Sequence, residues 1–96
     1  MALFVVQHRH EPEKCPARDR QMGSMLLNHL SFANAASFGV ELKGEAVIQG
    51  GHALYIIVEA RDQTSVSRFM EPFARAGTVE ILPASTCEEV VVRGGC

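Results

Sequence analysis

The 96-residue chain has no CxxC pair, no basic stripe and no long apolar run. Each absence closes off a class of function. Without CxxC there is neither a zinc ribbon nor a thioredoxin-type redox motif. Nine Lys and Arg against eleven Asp and Glu leave a formal net charge of −2, so nucleic acid is not an expected partner. No apolar run approaches the ~18 residues that span a bilayer. The opening MALFVVQHRH has no basic n-region and no small-residue cleavage site. It does not read as a secretory signal, and the expected compartment is the cytoplasm. The three cysteines, Cys15, Cys87 and Cys96, are odd in number, which favours reduced thiols over a disulfide framework.

What is present suits one soluble domain over residues 1–96, with 47% hydrophobic and 21% charged residues. A chain this short buries only about 60% of its unfolded surface, so a second copy would help stabilise it. Leu3-Phe4-Val5-Val6 reads as a strand reaching His8 or His10, stopped by the proline-flanked Glu11-Pro12-Glu13-Lys14-Cys15-Pro16. Pro16 could open a helix. Residues 22–38 read as a broken helical crossover, with Met22, Met25, Leu26, His29 and Leu30 on one face. Within it, Ser31 caps a second short helix, Phe32 to Ser37, and Gly39 stops it.

Strands are expected at Val40–Ile48 and Ala53–Ala60, joined by a Gly50-Gly51 type I′ hairpin that pairs Val47 with Leu54. Asp62 to Ala76 reads as a helix capped by Asp62 or Thr64 and ended by Gly77, with its apolar stripe at Val66, Phe69, Met70 and Phe73, and with Pro72 kinking it or starting a new last turn. A strand follows from Thr78 to Leu82, and Glu89 to Arg93 reads as an edge strand or arm. The order β-α-β-β-α-β is the α+β, ferredoxin-like arrangement. It has an antiparallel sheet in the order 4-1-3-2, helices on one face and a C-terminal extension at 84–96.

The other face of the sheet is the more informative. Leu3 and Val5 point away from Phe4 and Val6, and Tyr55 and Ile57 point away from Leu54, Ile56 and Val58. Both faces are apolar, yet two helices cover only one. A homodimer packed through the open face is expected, with the C-terminal segment clasping the partner.

The strand order, with the phrases GGHALYIIVEA and FMEPFARAGTVEILP, resembles the dimeric α+β barrel superfamily over about residues 3–83. That superfamily includes muconolactone isomerases, antibiotic-biosynthesis monooxygenases and YCII-like proteins. The phrases also look like small bacterial domains of unknown function. The resemblance implies the fold and a dimer. It transfers no catalytic motif, since members range from cofactor-free enzymes to haem, metal and ligand binders.

Chemistry is expected at one corner. The first and third strands are antiparallel neighbours, which brings His8 and His10 beside His52, with Cys15 folding back over the same end. Three imidazoles and a thiol form a donor set for zinc, nickel or copper. The bland alternative is a polar strand end. The rival function is a cofactor-free enzyme, isomerase or monooxygenase-like. It would use a His as base and a helix–sheet pocket lined by Phe4, Val6, Leu54, Phe69 and Phe73. These five residues also suit a plain core. His29 is read as a hydrogen-bonded core histidine, and Arg9 as facing away from His8 and His10.

Overall fold

The computed structural model describes residues 1–96. Four strands, β1 (Ala2–Arg9), β2 (Val40–Val47), β3 (Ala53–Ala60) and β4 (Thr78–Ala84), form one antiparallel sheet. Its order is β2-β3-β1-β4, the expected 4-1-3-2 seen from the other edge. The crossovers hold α1 (Arg20–His29) with α2 (Phe32–Ser37), and α3 (Gln63–Phe69) with α4 (Glu71–Ala76). The chain is therefore α+β with the βαββαβ order. No helix is long and apolar enough to cross a membrane.

Local chemistry sets most boundaries. Ser31 Oγ accepts from the Asn34 N–H, and Gly39 turns the chain at φ 75°. Asp62 accepts from the Ser65 N–H and hydroxyl. Pro72, in the first turn of α4, divides the second crossover at Met70, because proline has no N–H to continue α3. Pro16 opens only a 3-10 turn, Pro16–Arg18. The helix begins later, at Arg20, where the Asp19 carboxylate accepts from the Gln21 and Met22 N–H groups.

The β2–β3 register has Val47 opposite Leu54 and Ala46 opposite Tyr55, as expected. The turn differs. Gly51 N–H bonds Ile48 O, and of the two glycines only Gly50 has positive φ, 73°. Positive φ at the third residue alone is the type II pattern, so the I′ expectation is corrected.

The C-terminal expectation is corrected as well. Cys87–Arg93 is a helix, α5, not an edge strand. Thr86 Oγ1 accepts from the Glu89 N–H, and Gly94 closes the last turn at φ 83°. Thr-x-x-Glu at the start, Gly at the end and Arg93 in the last turn outweigh the β propensity of three consecutive valines. No residue of α5 is buried, and Val91 and Val92 are 77% and 82% exposed.

The core fills the space between sheet and helices. Phe4 and Val6 meet Leu54, Ile56 and Val58 across β1–β3, and Val66, Phe69, Met70 and Phe73 close over them. On the opposite face Val5 is flanked by Ile57 and Leu82, which remain 43% and 42% exposed. Arg9 lies on this face, its Nη2 3.5 Å from the Tyr55 hydroxyl.

The Asp62 cap carries a pH prediction. Hydrogen bonds from the Ser65 backbone and hydroxyl hold its carboxyl below the usual value. A depressed carboxylate pKa contributes stability that is present above the unfolded value of about 3.8–3.9 and is lost as pH falls through the folded one. Asp62→Asn keeps the cap but removes this titration. Its acid-unfolding curve, followed by circular dichroism, should be less pH-dependent below about pH 4 than that of the wild type.

Candidate metal centre

The corner is built by register. Arg9 pairs with Ala53 at the end of β1, and one step further the His10 N–H donates to the His52 carbonyl at 3.1 Å. This bond ties the two histidines at the backbone, and their rings sit 5.2 Å apart, edge to face. Cys15 arrives by a different route. It lies between two 3-10 turns, Pro12–Lys14 and Pro16–Arg18, and its own N–H bonds Pro12 O. A residue before proline is driven to extended geometry, and Cys15 has ψ 116°. Two prolines four residues apart thus fold the segment back over the strand end.

One ligand atom from each of His10, Cys15 and His52 lies within 4.8 Å of the others, and all three residues are half-buried. A tetrahedral ion with bonds of ~2.0–2.3 Å needs donors roughly 3.4–3.8 Å apart. Side-chain rotation of about an ångström closes the difference, with no demand on the strands.

His8 is buried and stands one step behind this group. Its Nδ1–H donates to the Thr78 carbonyl at 3.0 Å. A carbonyl cannot donate, so in neutral His8 the other nitrogen, Nε2, carries the lone pair. His10 Nδ1 lies 3.1 Å from that Nε2 and must be the donor. His10 in turn keeps its lone pair on Nε2, which is buried and has no hydrogen-bond partner. The chain Thr78 O, His8, His10 therefore selects the tautomer of His10, and the lone pair it exposes is the one left unpaired.

Protonation follows the same logic. Burial, chiefly, pulls the His8 pKa below its ordinary value, against the pull of the Thr78 carbonyl, and the neighbouring His10 lowers it further. Burial and then the charge of His52 lower that of His10. Both rings are neutral at neutral pH, the state that a metal ion requires.

The expected residues are distributed as follows. His10, His52 and Cys15 come together as a donor group. Both ring nitrogens of His8 are engaged in hydrogen bonds. Leu54 and Phe73 reach the wall of a cavity of about 510 Å³ beside the group, whereas Phe4, Val6 and Phe69 lie in the core cluster. His29 is a hydrogen-bonded, half-buried histidine. Its Nε2–H donates to Phe69 O at 2.6 Å and its Nδ1 accepts from Asn34 at 3.2 Å.

Sequence reasoning missed the Thr78 carbonyl, because that contact spans seventy residues and depends on the β1–β4 register. It also missed the Leu26, Leu27 and Leu30 side of the cavity. The irregular apolar spacing at the end of α1 is the signal that could have found it.

Comparison with known proteins places the chain without assigning it a reaction. No curated protein and no solved structure matches it. Residues 2–93 match the model of the family described as Domain of unknown function (DUF3303), and the chain belongs to that family.

Proposed function

We propose that this protein binds a transition-metal ion through His10, Cys15 and His52, with His8 holding His10 in the ligating tautomer. Two observations carry the reading: His10 Nε2 is a buried nitrogen with no partner, and the His10 ring forms a donor group with a thiol and a second imidazole. A buried polar atom left unpaired costs about 1–3 kcal/mol, and a bound cation removes that cost. Two imidazoles and one thiolate are a borderline-soft set that suits zinc best, with nickel and copper as rivals. Three protein ligands leave a fourth position for water or a small molecule.

The test is direct. Untagged protein, dialysed against zinc or cobalt(II), should retain one equivalent per chain. The cobalt form should show the sulfur-to-metal charge-transfer band of a thiolate ligand. Absence of uptake for zinc, cobalt, nickel and copper alike would sink the proposal and leave His10 as a general base for the cofactor-free alternative.

The open face of the sheet supports a second element of the reading, a homodimer. Val5, Ile57 and Leu82 lie side by side across three strands, with Lys43 bridging Glu41 and Glu59 at one rim. A second copy packed on this face would cover the apolar centre and leave the charges at the edge. The dimer of the resembled α+β barrel superfamily points the same way. Sedimentation at micromolar concentration should give a dimer, and Ile57→Lys a folded monomer. A wild-type monomer under those conditions would refute the interface.

A further inference from the structure

The fourth position of a three-ligand site takes its character from what lies beside it. Here that is the 510 Å³ cavity, which has His10, Cys15 and His52 in its wall. Such a volume falls in the range of small-molecule sites, about 300–1,000 Å³. Most of the remaining wall is hydrocarbon drawn from four separate segments: Leu26 and Leu30 around the end of α1, Val47 and Ile48 at the end of β2, Leu54 of β3 and Phe73 of α4. Phe73 also packs edge-on against His8, with ring centres 5.1 Å apart, so cavity and hydrogen-bond relay share a wall. No arginine or lysine lines the cavity. Apart from the histidines and Cys15, its one ionisable group is the Glu45 carboxylate.

Charge narrows the ligand further. A divalent ion held by two neutral imidazoles and one thiolate carries a net charge of +1. One anionic donor neutralises it. A second anionic group would meet Glu45 and no cation, which disfavours phosphates and dicarboxylates.

We infer that the cavity takes a small, mainly apolar organic molecule ending in a single anionic oxygen or sulfur, and that this donor occupies the fourth metal position. The inference rests on the metal reading above. The apolar body supplies affinity by leaving water, and the single donor fixes its orientation.

A homologous series tests it: acetate, butanoate and hexanoate titrated into the cobalt(II)-loaded protein, with 1-hexanol as the control that lacks the anionic end. Each carboxylate that binds should shift the visible d–d bands, because it replaces a ligand on the metal. Hexanoate should bind at least about tenfold tighter than acetate, since each buried methylene adds to affinity. It should also bind at least about tenfold tighter than hexanol, since only the carboxylate is a charged ligand. Val47→Asp places a charge on the wall at an exposed strand end. It should weaken hexanoate by about tenfold or more, leaving cobalt uptake unchanged. Cobalt uptake with acetate and hexanoate binding equally, or with hexanoate causing no spectral change, would overturn this inference alone. Failure of cobalt uptake would overturn the metal reading and this inference with it.

Discussion

Gly77→Ala is expected to destabilise the domain by about 3 kcal/mol or more, a large part of the roughly 5–14 kcal/mol available to a chain of this size. The residue has φ 178°, extended backbone that any amino acid adopts, so conformational freedom is not what glycine supplies here. What matters is proximity. A Cβ at Gly77 would overlap the Arg9 carbonyl oxygen and stand 3.0 Å from its carbon and 3.1 Å from His10 Cα. These are backbone atoms of the strand end and cannot rotate aside as a side chain would. Relief requires β1 and the α4–β4 connection to separate, and Arg9 is paired with Thr78 at that point. The same displacement would tilt His10 away from His52. Gly77→Ala should therefore lower the urea midpoint sharply and weaken cobalt binding as the folded fraction falls. An unfolding free energy within about 0.5 kcal/mol of wild type would mean that the contact is easily relieved.

The second large effect concerns the metal ligands. Sites with mixed imidazole and thiolate donors bind zinc with about 10–16 kcal/mol in all, so one ligand is worth about 3 kcal/mol or roughly a hundredfold in affinity. His10→Ala, Cys15→Ala and His52→Ala should each lose at least that much, and Cys15→Ala should also lose the charge-transfer band. His8→Ala is expected to behave differently. It removes the acceptor for His10 Nδ1–H, frees the ring to change tautomer, and should cost about 10–100-fold with the cobalt spectrum retained. Equal losses for His8→Ala and His10→Ala, with a change in the donor spectrum, would place His8 among the ligands. His8→Ala also leaves the Thr78 carbonyl without its imidazole partner beside a buried core. Its stability should therefore be measured alongside, so that a loss of fold is not read as a loss of tautomer.

Much of the architecture was legible because its signals are short in range. Ser31, Asp62 and Gly39 act within four residues of themselves, and each performs the expected capping or stopping role. Pro72 divides the second crossover for an equally local reason. The β2–β3 register followed from placing Gly50 and Gly51 in the loop between the two strands. Local reasoning failed where two local signals competed. In α5 three valines argued for a strand and the Thr86 and Gly94 caps argued for a helix, and the caps prevailed. The last core strand, expected to end at Leu82, runs on to Ala84 and takes in Pro83 opposite Phe4. β4 is an edge strand, where a missing N–H is tolerated.

The sequence by itself determined the element order from β1 to β4 and the antiparallel neighbourhood of β1 and β3, and hence that His10 and His52 share an end of the sheet. The reason is topological: right-handed crossovers in a βαββαβ chain put β1 beside β3, and the Gly50-Gly51 turn sets where β3 begins. The tertiary structure decided the rest of the corner. It joined His8 to the Thr78 carbonyl across seventy residues, left His10 Nε2 as the unpaired lone pair, and turned Gly77 from a helix stop into the residue that lets the α4–β4 turn pass against the backbone of Arg9 and His10. None of these has a sequence pattern of its own. Each depends on how closely two distant segments of backbone approach, and that distance is set by the packing of the whole core.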